Sequence, residues 1–244
     1  MAEVRVGVVL RPQSPPEELR ETVVAADEAG LDELWLGFPE HGLGAAAAAL
    51  TWSERLTVGI GLLPPRDPAV AATEIAMVAR LFPGRFVPAV GPARTAHAVT
   101  VLREHAVAVR RLLQGETVEV AGQLEAVGLD WPPEQVPPLI LGAREPETLA
   151  LAGEVGDGVL LDACFVTPKY VASASARVAQ AALAARRPAP RVVTFAEIEP
   201  EVPALGDRAR ALIAELAAAG ADSVVLQCTS QHPYPGPLIA ALSR

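Results

Sequence analysis

Apolar runs alternate with amphipathic stretches along this chain, and the alternation repeats from one end to the other. Val4 to Leu10 (VRVGVVL) is a nearly continuous β-branched run, the pattern of a parallel strand covered on both faces. Ser14 is placed to cap a helix that begins at Pro15-Pro16 and runs to Ala29, where Gly30 stops it. Leu31 to Phe38 predicts a second strand and Ala45 to Trp52 a short alanine-rich helix. Strand Arg55 to Leu63 leads to helix Pro68 to Leu81, with Pro83-Gly84 as a turn, and strand Arg85 to Val90 leads to helix Ala98 to Leu113, ended by Gln114-Gly115. Residues 116–133 read as an irregular excursion. The beat then resumes with strand 138–141, helix 146–155, strand 158–161 and helix 168–185, followed by strand 191–198, helix 207–219, strand 223–227 and helix 236–242.

Parallel strands each followed by a helix, joined by short connections, predict an α/β fold, a compact (βα)8 TIM barrel. A doubly wound open sheet is the competing arrangement. It usually carries a glycine-rich first turn, and Leu10-Arg11-Pro12-Gln13 is not one. Arg186-Arg187-Pro188-Ala189-Pro190 is the best candidate for a hinge, yet a strand follows at once, so residues 1–244 are read as one barrel domain.

Composition narrows the partners. Apolar residues make up 51% and aromatics only 4%, so aliphatic side chains must fill the core. A net charge of −9 disfavours nucleic acid or an anionic membrane surface and leaves a small molecule as the expected partner. No apolar stretch reaches the roughly 20 residues a membrane span needs. The N-terminus opens directly into a strand, and Cys164 and Cys228 lie far apart in apolar runs, so a reducing, cytoplasmic setting is expected. Trp35 and Cys164 are read as core residues, and Cys228 as a strand end.

In such barrels the loops after the strands build the site. Here they carry Arg66, Arg94, Arg144, His41 and His232, which predicts a mouth more basic than the chain as a whole. No metal site is expected, since the histidines and cysteines lack ligand spacing, and no G-x-S-x-G nucleophile elbow is present. At Leu139 to Asp157 a strand runs into Gly142-Ala143-Arg144, and Pro146 suits the first turn of a helix. Helix-terminal amides and Arg144 make an anion site there. A plain strand end with a solvated arginine fits the same residues, and Glu145 and Glu147 weigh against an anion.

The segment GAREPETLALAGEVGDGVLL at 142–161 resembles the phosphate-binding segment of luciferase-like monooxygenases. The likeness is to the branch that uses the deazaflavin coenzyme F420, which includes the methylenetetrahydromethanopterin reductases, with the pattern G-A-x-G-P-x-x-L-x-L-A-G-E-x-x-D-G. Residues 26–41, 54–91 and 99–122 resemble further segments of that family in the same order, and 212–226 its last helix and strand. The resemblance implies a barrel that binds F420, or FMN in other branches, at the strand ends, often as a homodimer, and transfers a hydride to or from a small organic substrate. It places the phosphate at Gly142, Ala143 and Arg144, and the catalytic polar pair at Glu40 and His41, although Phe38-Pro39 intervene after the strand. It also implies a non-prolyl cis peptide at Gly61–Leu62, behind the ring. An all-trans turn into Pro64-Pro65 is the alternative. The loops after strands 4 and 7 are shorter than in the family, and Glu145 stands where its pattern has glycine. An FMN-dependent monooxygenase and a non-catalytic barrel that binds flavin or a partner therefore remain as competing readings.

Overall fold

The computed structural model describes residues 4–38, 42–93, 95–119, 126–161 and 166–243. Among these, strands β1 (Arg5–Leu10), β2 (Glu33–Leu36), β3 (Thr57–Leu63), β4 (Phe86–Val90), β5 (Ile140–Gly142), β6 (Gly158–Leu161), β7 (Arg191–Glu197) and β8 (Ser223–Gln227) follow one another round a closed barrel, every pair parallel. Helices α1 (Leu19–Glu28), α2 (Gly42–Trp52), α3 (Pro68–Leu81), α4 (Ala98–Leu113), α5 (Pro146–Val155), α6 (Pro168–Ala184), α7 (Leu205–Ala218) and α8 (Gly236–Leu242) alternate with them. The (βα)8 TIM barrel expected from the pattern is the fold. No described helix is long and apolar enough to cross a membrane.

Local chemistry explains many of the boundaries. Asp67 accepts hydrogen bonds from the amides of Ala69 (2.8 Å) and Val70 (3.2 Å), and Pro68 opens α3. Thr167 caps α6 in the same way, accepting from the Tyr170 amide at 3.2 Å. Gly30 and Gly115 take the left-handed conformation, at φ +76° and +83°, where α1 and α4 stop. Ser14 departs from expectation. The first helix begins as a 3-10 turn at Pro16–Glu18 with Pro15 at its cap, and the Ser14 hydroxyl is buried without a hydrogen-bond partner. Its amide instead closes a turn onto the Arg11 carbonyl at 3.0 Å. The excursion after α4 contains an antiparallel bridge between Val118 and Val127.

Alternation along each strand sorts side chains into two cores. One face packs against the helices. The other fills the barrel with Val9, Trp35, Val87, Ala89, Ile140, Leu160, Val193, Phe195 and Val225, with Leu62 against them. Trp35 is 1% exposed and meets Phe195 edge-on, ring centres 5.4 Å apart. It fits because Gly59 next to it has no side chain: a Cβ there would sit 2.3 Å from the indole. Below this layer Glu33 closes the floor. Its carboxylate pairs with Arg5 (2.6 Å) and Arg191 and accepts from the Trp35 indole N–H at 2.9 Å. Among the described residues the barrel is therefore plugged from below.

Candidate active site at the barrel mouth

The C-terminal ends of the strands present two unlike halves. On the side of β7, β8 and β1 the inward positions turn polar above Phe195 and Val225. Arg11 donates to Glu197 (3.0 Å) and to the Cys228 carbonyl (2.8 Å), which ties the end of β1 across to β7 and β8. Glu199 accepts from the Thr229 hydroxyl (3.2 Å), and its other oxygen lies 3.0 Å from His232 Nδ1. His232 Nε2 is 3.6 Å from Glu201. Carboxylates facing both ring nitrogens fix the orientation of the imidazole, as an orienting carboxylate does for a general acid or base. Glu199, Glu201 and His232 bring one ligand-type atom each within 4.8 Å of one another, a grouping that no local spacing in the sequence announces. The Cys228 thiol is no nucleophile: burial first, then Glu199, push it up to about 11.

The side of β3, β4 and β5 is apolar. The Gly61–Leu62 peptide is cis, and the pairing of β3 with β4 shifts register between Ile60 and Leu63. Beneath Gly61 lie Leu160, Phe195 and Trp35, 3.3–3.6 Å from where its Cβ would be. Leu62 reaches across the ends of the next two strands. A Cβ on Gly91 would come within 2.9 Å of it, and one on Gly142 within 2.5 Å. Leu62, Gly91 and Gly142 thus form a ledge with no side chain standing on its β4 and β5 side.

Beyond the ledge comes the turn into α5. The Ala143 amide donates to the Leu160 carbonyl (3.1 Å) and the Arg144 amide to the Thr148 hydroxyl (3.1 Å). That hydroxyl donates in turn to the Glu145 carbonyl at 3.0 Å, and the Tyr170 hydroxyl holds the Arg144 carbonyl at 3.1 Å. The backbone amides of Ala143 and Arg144 are therefore committed to the fold. What this turn offers an anion is the exposed Arg144 side chain and the first-turn amides of Glu147 and Thr148, since Pro146 has none.

Gly61, Leu62, Gly142, Ala143 and Arg144 are gathered on one side of the mouth. Glu40 and His41 lie outside the described residues, as do Arg94 and Cys164. The expected basic mouth is corrected for the described residues. Glu197, Glu199, Glu201, Glu145 and Glu147 stand beside Arg11, Arg66 and Arg144, and Arg66 is paired with Glu74 at 2.9 Å. Next to the mouth, between the β3–α3 loop and α4, a cavity of about 530 Å³ is lined by residues that include Arg66, Glu104, His105 and Glu119. Sequence reasoning missed the Glu199–His232 pair, whose partners are 33 residues apart and meet only through the β7–β8 pairing.

The apolar ledge, with an arginine and a helix N-terminus at its edge, fits a planar ring that carries a phosphate-bearing tail. The chain is 28% identical over 179 residues to an F420-dependent glucose-6-phosphate dehydrogenase of Nakamurella multipartita, covering 61% of this chain and 52% of that protein. It is 26% identical over 175 residues to a 5,10-methylenetetrahydromethanopterin reductase of Methanolobus tindarius, covering 64% of this chain and 53% of that one. The chain thus spans about half the length of the curated relatives it matches. The solved structure of the coenzyme F420-dependent tetrahydromethanopterin reductase from Methanopyrus kandleri superposes with a TM-score of 0.78 at 19% identity, covering 99% of this chain and 97% of that one, which is a likeness of fold. The model of the luciferase-like monooxygenase family matches residues 1–224, and the chain belongs to that family.

Proposed function

We propose that this chain is a coenzyme F420-dependent oxidoreductase that moves a hydride between the deazaflavin and a small organic substrate. The observation that carries the reading is the apolar ledge of Gly61, Leu62 and Gly142, which ends at an arginine-bearing helix N-terminus. The relatives named above, two F420-dependent by name, support the same cofactor. When bound, the deazaflavin supplies a two-electron hydride donor or acceptor. The chain's own residues do the rest. Gly61 and Leu62 support the ring, and Gly142 and Ala143 fix the turn. Arg144 and the first turn of α5 hold the phosphate.

Proton exchange with the substrate falls to polar groups on the facing wall. Glu40 and His41 are assigned this role by the resemblance, and His232, oriented by Glu199, is a further candidate. The protein acts on a small molecule, in the cytoplasm, as one domain over residues 1–244, and without nucleic acid or membrane. It pairs as a homodimer, a reading supported by the apolar stripe of Val70, Met77 and Leu81 left exposed on α3.

Parallel fluorescence titrations with F420 and FMN test the assignment. F420 is expected to bind the more tightly, and equal or stronger FMN binding overturns the cofactor. Arg144→Ala is expected to weaken F420 binding by roughly 1–3 kcal/mol, the scale of a charge-assisted hydrogen bond. An unchanged dissociation constant means that Arg144 does not hold the phosphate.

A further inference from the structure

The ring ledge and the phosphate turn belong to different strands, yet they share one contact. Leu62, from β3, packs against the barrel interior and lies over the ends of β4 and β5. Its Cβ and Cδ1 occupy the space that a Cβ on Gly91 would enter, at 2.9 and 3.1 Å. Both of its Cδ atoms occupy the space of a Cβ on Gly142, at 2.5 and 2.6 Å. A side chain at either position makes Leu62 move, since the contacts fall below 3.0 Å; at Gly91 the clash reaches its Cβ, and at Gly142 it displaces the end of the side chain. The residues after Gly142 have no slack to absorb such a move. Ala143 is tied to β6 through the Leu160 carbonyl, and Arg144 is tied to α5 through Thr148.

We infer that Leu62, seated in the gap left by Gly91 and Gly142, is a positioning residue that couples the support of the cofactor ring to the turn holding its phosphate. The inference rests on the cofactor reading above and adds to it a reason for the glycines. Gly142 is glycine to receive Leu62, since the neighbouring amides of Ala143 and Arg144 are already spent within the fold. The competing account makes Leu62 simple filling at the top of the barrel. Its loss would then lower stability and leave cofactor binding alone.

A double-mutant cycle with F420 as the probe separates the two. Gly142→Ala is expected to weaken F420 binding by about tenfold or more, the scale of an overpacked contact. Leu62→Ala alone is expected to weaken it and to shift the absorption band of the bound deazaflavin. The double variant is expected to bind more tightly than Gly142→Ala alone, because the shortened residue 62 makes room for the new methyl group. Losses that simply multiply, or an unchanged affinity and spectrum in Leu62→Ala with a lowered Tm, overturn the coupling. Should Gly142→Ala fail to fold, Gly91→Ala with Leu62→Ala completes the same cycle. If the unmodified protein shows no affinity for F420, the cofactor reading itself is overturned. Thermal unfolding then still reports whether Leu62→Ala relieves the glycine variants, so the two failures remain distinguishable.

Discussion

The carboxylate of Glu33 lies at the bottom of the barrel with its side chain 1% exposed, between two arginines and the Trp35 indole. Burial, and after it the charge of Arg5, lower Arg191 to about 10, while the charges of Asp222 and Asp32 act in the opposite sense. Glu33→Gln keeps an acceptor for the indole but removes the carboxylate that both Arg5 and Arg191 contact. A loss of about 3–5 kcal/mol is expected, the cost of breaking a buried ion pair from one side. It should appear as a lower urea midpoint at unchanged slope, whereas a near-neutral substitution would mean that water reaches the floor. His105 gives a pH signature. Burial is the main cause that lowers its pKa from 6.5, and the Arg66 charge adds to it, while the hydrogen bond to the Arg66 carbonyl and the charge of Asp67 act in the opposite sense. The stability that goes with a neutral His105 is therefore full above the ordinary imidazole value of 6.5 and is lost as pH falls through the depressed one. Tm measured from pH 7.5 down to 5 should fall less steeply in His105→Gln than in the unmodified protein. Parallel curves would contradict the assignment.

Helix α5 sets two local preferences against each other. Gly153 lies in its interior, where alanine would add about 1 kcal/mol of helix propensity. A Cβ there would meet the Val178 carbonyl oxygen of α6 at 2.4 Å and the Ala182 amide nitrogen at 2.9 Å. Backbone atoms cannot swing aside, so packing wins: Gly153→Ala is expected to destabilise by roughly 1–3 kcal/mol in chemical denaturation. A stabilised variant would show that the two helices can part. Elements of this kind were legible in the sequence where the chain punctuates itself. The bounds of α3, α4, α5, β6, β8 and α8 follow from proline at first turns, glycine after last turns and unbroken apolar runs. Ser14 misled because its preference for caps is statistical, and the Pro15-Pro16 pair started a 3-10 turn instead. The site was half legible for a related reason. The run from Gly142 to Glu147 is local, so strand end, turn and helix start could be read in order. The seating of Leu62 on Gly91 and Gly142, and of His232 on Glu199, depends on which strands become neighbours. No window of sequence contains that information.

On the scale of the whole molecule, the helices cover the barrel unevenly. Val70, Met77 and Leu81 recur at helical spacing along one face of α3 and are 49%, 60% and 62% exposed, while Ala72, Ile75, Ala76 and Ala79 face the core. Beside them Arg80 stacks on Trp131, which is 71% exposed, so the apolar strip continues past the helix. This strip, interrupted by the Arg66–Glu74 ion pair, is the surface on which the proposed homodimer would form. A second copy can cover it by laying the same stripe against this one about a two-fold axis. Charge opposes the pairing, because two acidic protomers repel one another, and added salt should therefore tighten it. Burying Met77 and Leu81 is worth about 1.5–3 kcal/mol for each fully covered side chain. Replacing both by glutamate removes that gain from both protomers and places carboxylates face to face. Sedimentation at micromolar concentration is expected to give a dimer for the unmodified chain and a monomer for Met77→Glu/Leu81→Glu, with circular dichroism unchanged. The dissociation constant should rise by well over tenfold, tenfold being about 1.4 kcal/mol. A monomeric unmodified protein, or a double variant that still pairs, would mean that this face of α3 is not the interface.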